Sequence, residues 1–177
     1  ELSDIPCDGP DLFVSATVSA SPRKGYPENI ARLMQAAVAG SEIEPAMDEK
    51  IIPNMSYVNE KPFTSGFYFK ELSDKHVTLC FRIEGSKPVR VSKLSVHAAP
   101  DVMFRRFENG LVLANPSSHD VNLELSEIWP GERFRNIKGS PKQDPQTNNG
   151  QPVDKTVTLA ARDALFLIRE VAGGEVQ

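Results

Sequence analysis

The chain has 177 residues, enough for one extended core or two small abutting ones, and its 40% hydrophobic and 25% charged residues match a globular protein, not a disordered tract. A net charge of −4, with Lys and Arg interspersed among acids, excludes the clustered basic surface that nucleic acid requires. No run approaches the ~20 apolar residues of a membrane-spanning helix, so neither nucleic acid nor membrane is an expected partner. The N-terminal ELSDIPCDGP lacks the basic and apolar regions of a signal peptide, but a mature or excised piece would lack them too.

Taken in chain order, the elements are mostly strands. In DLFVSATVSAS, Val14, Ala16, Val18 and Ala20 alternate with Phe13, Ser15, Thr17 and Ser19, the period of a half-buried strand. The period then changes: Ile30, Leu33, Met34, Ala37 and Val38 fall at helical spacing, with Pro27 suited to a first turn and Gly40 to a stop, predicting one short helix near residues 27–39. Residues 41–62, interrupted by Pro45, Pro53 and Pro62, read as a long irregular connection of the kind that often lines a ligand site.

Strands resume with FTSGFYFKEL, HVTLCFRIE and PVRVSKLSVHAA, and the apolar phase of the last slips between Val91 and Leu94, which predicts a bulge or bend. After residue 101, VMFRRFE, GLVLANP, HDVNLELSEI, ERFRNIKG, KTVTLAA and ALFLIRE read as six short strands with no helix among them. Asn109-Gly110 is a two-residue hairpin signal with Gly110 and Asn109 at positive φ, Pro130-Gly131 marks a corner, and Arg162-Asp163 turns a closing hairpin. The fold class is therefore all-β, one or two antiparallel sandwiches. The division is 1–100 and 101–172, or one continuous domain over 1–172.

The run from Arg105 to Glu170, with its Arg-Phe-Glu-Asn-Gly turn, its LVLANPS strand, a polar NNG loop and a closing TVTLAARDALFLI, resembles the terminal β-sandwich domains that follow the TIM barrel in many bacterial glycoside hydrolases. The resemblance implies a non-catalytic accessory region of a secreted or cell-surface polysaccharide-degrading enzyme. Its implied partners are a polysaccharide or oligosaccharide and a catalytic TIM barrel in the same polypeptide. The first hundred residues are more distantly similar to a carbohydrate-binding-type sandwich with long loops.

The residues themselves offer no catalytic pattern. A glycosidase needs two carboxylates about 5 to 10 Å apart in a cleft, and Glu42, Glu44, Asp48, Glu49 and Glu124 read as solvated side chains. His76, His97 and His119 lack zinc spacing, and no GxSxG elbow or P-loop is present. Cys7 and Cys80 permit at most one disulfide and match no zinc motif. The chain is expected not to be an enzyme.

Sugar binding is the sharper candidate, because a pyranose ring offers a C–H face that stacks on flat aromatic side chains. The aromatics outside the core phase are Tyr26 in KGYPEN, Tyr57 and Phe63 in and behind the irregular stretch, Tyr68 as the outward member of Phe67-Tyr68-Phe69, and Trp129 at the EIWPGER corner. For Trp129 a plug closing the sandwich competes with a stacking role. Asp144, Asn148 and Asn149 supply oxygen ligands in one loop and are the candidate for a structural Ca2+, against the reading of a solvated turn. No other cofactor is implied.

Overall fold

The computed structural model describes residues 1–24, 31–40 and 54–170. The chain divides into two compact units, Glu1–Pro100 and Asp101–Gln177, and all the strand pairings among the described residues are antiparallel.

The first unit is a sandwich. Strands β1 (Leu2–Pro6), β3 (Arg32–Gly40), β4 (Asn54–Val58) and β6 (His76–Ile83) form one sheet in the order β1-β6-β3-β4. Strands β2 (Leu12–Ala20), β5 (Phe63–Phe69) and β7 (Val89–His97) form the other in the order β5-β2-β7. The period-2 pattern of β2 is kept without exception: Leu12, Val14, Ala16, Val18 and Ala20 are buried and the residues between them are half-buried. They pack with Met34, Ala36, Val38, Phe67, Phe69, Val77 and Leu79, and each large member contributes roughly 1.5–3 kcal/mol. Ser65 and Ser56 hydroxyls meet at 3.0 Å, and Asn54 donates to the Tyr68 carbonyl, joining β4 of one sheet to β5 of the other. The phase slip in β7 is a bulge, where the register with β2 shifts between Ser15 and Thr17 and Lys93 takes φ 49°.

The helix read over 27–39 is overturned where the structure describes it, since Arg32–Gly40 is strand β3; residues 27–30 lie outside the described residues. The reason is double burial. Ala36, Ala37, Val38 and Ala39 are all buried, so the second half of this central strand is covered on both faces and loses the alternation that Arg32 to Gln35 keep, leaving a helix-like spacing. Pairing to β6 on one side and β4 on the other then outweighs the helix preference of Ala and Met.

The second unit has two smaller sheets. Strands β8 (Met103–Phe107), β9 (Gly110–Asn115), β11 (Phe134–Asn136) and β13 (Asp163–Arg169) follow the order β11-β13-β9-β8, and β10 (Val121–Glu124) pairs β12 (Thr156–Leu159). Leu111, Leu113, Leu167, Phe134, Val157, Leu159 and Leu125 make its core. A four-residue helix, α1 (Leu125–Ile128), interrupts the stretch read as continuous strand.

Two turn assignments change as well. Neither Asn109 nor Gly110 has positive φ; a Cβ on Gly110 would lie 2.2 Å from the Leu167 carbonyl oxygen, so glycine is required there by close approach of β13. Arg162 does turn the chain, at φ 55°, but β12 and β13 belong to different sheets, so the turn is an arch between sheets and not a hairpin.

Candidate functional site

Cross-strand register places the exposed residues of the first unit in rows. On the outer face of the β4–β3–β6 edge, Tyr57 stands opposite Leu33, whose carbonyl accepts the Glu84 amide at 2.9 Å, and Met55 stands opposite Gln35, which stands opposite Arg82. Tyr57 is 70% exposed although it lies inside a strand. Leu33, Gln35, Arg82, Ile83 and Glu84 line a shallow depression of about 210 Å³ next to it, below the ~300 Å³ of drug-sized pockets.

The end of this depression is fixed by charge. The nearly buried Arg32 guanidinium donates to the carbonyls of Glu84 at 2.7 Å, Gly85 at 3.3 Å and Pro88 at 3.2 Å, clamping the β6–β7 turn. Glu84 in turn accepts from the Leu33 amide at 3.3 Å and pairs with Arg23 at 2.6 Å. Its carboxylate is thereby held as part of the frame. The combination of a flat aromatic, an amide and a guanidinium beside Leu33 and Ile83 suits stacking plus hydrogen bonding to hydroxyls.

The other aromatics named from the sequence are dispersed. Tyr68 is on the outer face of the opposite sheet with Phe67 and Phe69 buried behind it, as alternation predicts, and its hydroxyl donates to the buried carboxylate of Asp11. Phe63 opens the same strand, opposite Val18 and on the core side, where it is 36% exposed at the sheet's end. Tyr26 lies outside the described residues.

Trp129 is in the second unit. Its half-buried ring packs on Phe134 at 5.8 Å, and the Arg106 and Arg169 guanidiniums lie over it at 5.6 and 5.5 Å. Arg106 also donates to the Ile128 carbonyl, and Arg169 pairs with Glu132 at 3.6 Å. The ring is thus engaged as the plug of that core.

Asp144, Asn148 and Asn149 share one loop closed by its own hydrogen bonds. Asn148 Nδ2 donates to the Gln143 carbonyl at 2.7 Å, Asn149 Nδ2 to the Gln146 carbonyl at 2.8 Å, and Asn149 Oδ1 accepts from Gln151 N and Asn136 Nδ2. Bonds from Thr147 hold the Asp144 carboxyl below the usual carboxylate range.

Both cysteines are free: Cys7 is buried and donates to the Gly9 carbonyl at 3.2 Å, Cys80 is half-buried on the outer face opposite Ala37, and burial pushes both thiols up.

Sequence reasoning missed Gln35 and Arg82 because the helix assignment hid β3, and with it the row that joins them to Met55. It also missed a buried clamp in the second unit. Asn115 Nδ2 donates to the carbonyls of His119, Leu159 and Ala160, while its Oδ1 accepts from Ser117 N at 3.0 Å and Ser117 Oγ at 2.6 Å. The Asn-Pro-Ser sequence, an Asx-turn composition, was the available signal. The chain matches no protein-family model, no curated protein and no solved structure.

Proposed function

We propose that the chain is a non-catalytic carbohydrate-binding region of a secreted polysaccharide-degrading glycoside hydrolase, and that it holds the polymer through the surface around Tyr57. The observation that carries this reading is the exposure of Tyr57 within a paired strand, next to Leu33, which with Gln35 and Arg82 lines a depression of about 210 Å³. A large aromatic ring left in water on a rigid sheet is preorganised for stacking, since little side-chain freedom remains to be lost on binding. Tethering of this kind raises the local concentration of an attached enzyme at its polymer without new chemistry.

Affinity electrophoresis and calorimetry against a panel of plant and algal polysaccharides test the reading. The full chain is retarded by at least one of them and Tyr57→Ala loses most of that retardation; no retardation on any polysaccharide overturns it.

One observation favours a second reading, a bracing domain that packs against a catalytic barrel. On the outer face of the β11-β13-β9-β8 sheet, Met103, Phe107 and Phe166 are exposed around Val112 and Ile168, with Ile137 beside them. Arg105 and Arg135 stand in the same rows. A contiguous apolar sheet face is the kind of surface that marks a protein contact. Dye binding by this face that is lost in Phe166→Ser, together with no sugar binding, selects the bracing role.

A further inference from the structure

The outer face of the β5-β2-β7 sheet carries an aromatic row that the Tyr57 surface does not use. Phe13 on the central strand stands directly opposite Tyr68 on one side and His97 on the other, so three rings belong to one line across three strands. The next line is Gly66, Ser15 and Ser95, and beyond it Thr64 and Ser92 flank Thr17. None of these nine positions is Asp, Glu, Lys or Arg.

Two features show that the row is held in place. A Cβ on Gly66 would lie 3.1 and 3.2 Å from Phe13 Cε2 and Cζ, so the Phe13 ring covers the space above a glycine and depends on its lacking a side chain. The Tyr68 hydroxyl is tied to Asp11, itself 2% exposed, which fixes the outer end of the line. Neighbouring strands are about 4.8 Å apart, so the backbone positions that carry the three rings repeat at the spacing of the sheet. Successive rings of an extended, equatorially linked pyranose chain advance by a similar step.

From this geometry we infer a second carbohydrate surface, in which three consecutive pyranose units of a neutral extended polysaccharide lie across β5, β2 and β7. The sugar faces stack on Tyr68, Phe13 and His97, and the Ser15, Ser95 and Thr17 hydroxyls serve the hydroxyls along one side of the chain. The inference rests on the carbohydrate-binding reading but not on the Tyr57 surface, because the two lie on different sheets of the sandwich.

Calorimetry of the full chain with cello-, xylo- and manno-oligosaccharides of two to six units tests it. Affinity for at least one series rises up to the trisaccharide and then levels, Phe13→Ala and His97→Ala each lower it by about tenfold or more, and Tyr57→Ala leaves this component in place. Gly66→Val, which displaces the Phe13 ring, weakens binding as Phe13→Ala does. His97 is exposed, so its variant folds even where changes at Phe13 lower stability, and thermal unfolding of each variant verifies the fold. Binding that disappears with Tyr57→Ala and is unchanged in His97→Ala overturns the second surface while leaving the Tyr57 reading intact. Failure of the unaltered chain to bind any of the three series overturns the second surface, and the Tyr57 reading is then decided by the polysaccharide panel alone.

Discussion

Among the described residues, fourteen buried ones, from β2 to β6 together with Cys7, make the core of Glu1–Pro100, whereas the core of Asp101–Gln177 counts seven and leans on polar devices. There the Asn115–Ser117 clamp ties the β9–β10 connection to the end of β12, and Trp129 is wedged among Phe134, Arg106 and Arg169. The larger core leaves Tyr57 exposed and the Phe13 row half-buried to exposed, so both stand on surfaces that its closure does not need. The smaller unit spends its one tryptophan on its own closure. A feature that is easy to recognise in a sequence is thus not the one most available to a ligand.

The sharpest way to break this contrast is at the clamp. Asn115→Ala removes a side chain with five hydrogen bonds in a nearly dry site and is expected to cost roughly 3 kcal/mol or more. Denaturant unfolding followed by Trp129 fluorescence reports the loss in the second unit, while hydrogen exchange of β2 amides reports whether the first unit stays folded. Simultaneous loss of β2 protection would show that the two cores unfold as one.

Next in size, Trp129→Ala is expected to cost about 3 kcal/mol and leave sugar binding unchanged. Weaker sugar binding by a still-folded variant would move the site into the second unit. Tyr57→Ala has the opposite signature, a change in stability within about 0.5 kcal/mol, as for most exposed substitutions, with a large loss of binding.

The smallest effects are electrostatic and have opposite signs. Burial holds the Asp101 carboxyl above its usual range, so the folded chain binds that proton more tightly than the unfolded one. Stability from this group rises as pH falls from neutral through the folded pKa to the unfolded value near ~3.9. Asp101→Asn therefore raises Tm at pH 7, and the advantage shrinks on acidification. Asp144 runs the other way: its carboxyl is depressed by Thr147, its contribution is complete above the unfolded value, and it is lost as pH falls through the folded pKa. Asp144→Asn lowers Tm slightly at pH 7, and no longer does so below that folded pKa.

Legibility from sequence followed the same division. Strands β8 to β13 were readable because each is short and bounded by turn residues, and β10 and β12 alternate, though the arch at Arg162 was not, since a turn does not reveal which sheet its two strands join. In the first unit β2, β5, β6 and β7 were readable and β3 was not, because burial of Ala36, Ala37, Val38 and Ala39 on both faces erased the period of its second half. With β3 hidden, β4 had no visible partner, so Tyr57 was found as a loop aromatic and its neighbours Gln35 and Arg82 were not found at all. The Phe13 row was hidden for another reason: alternation says that Phe13 points outward, but only the register of three strands says what stands beside it.

That register also has a temporal meaning. Ser19 lies opposite Arg90 and Leu2 opposite Leu79, so the sheets of the first unit close only when the beginning and the end of a hundred-residue stretch meet. Contacts of such separation slow folding and leave strands waiting for partners. During synthesis one edge of β2 stays unpaired until β7 has left the ribosome, and the row of Tyr68, Phe13 and His97 is not complete before that moment.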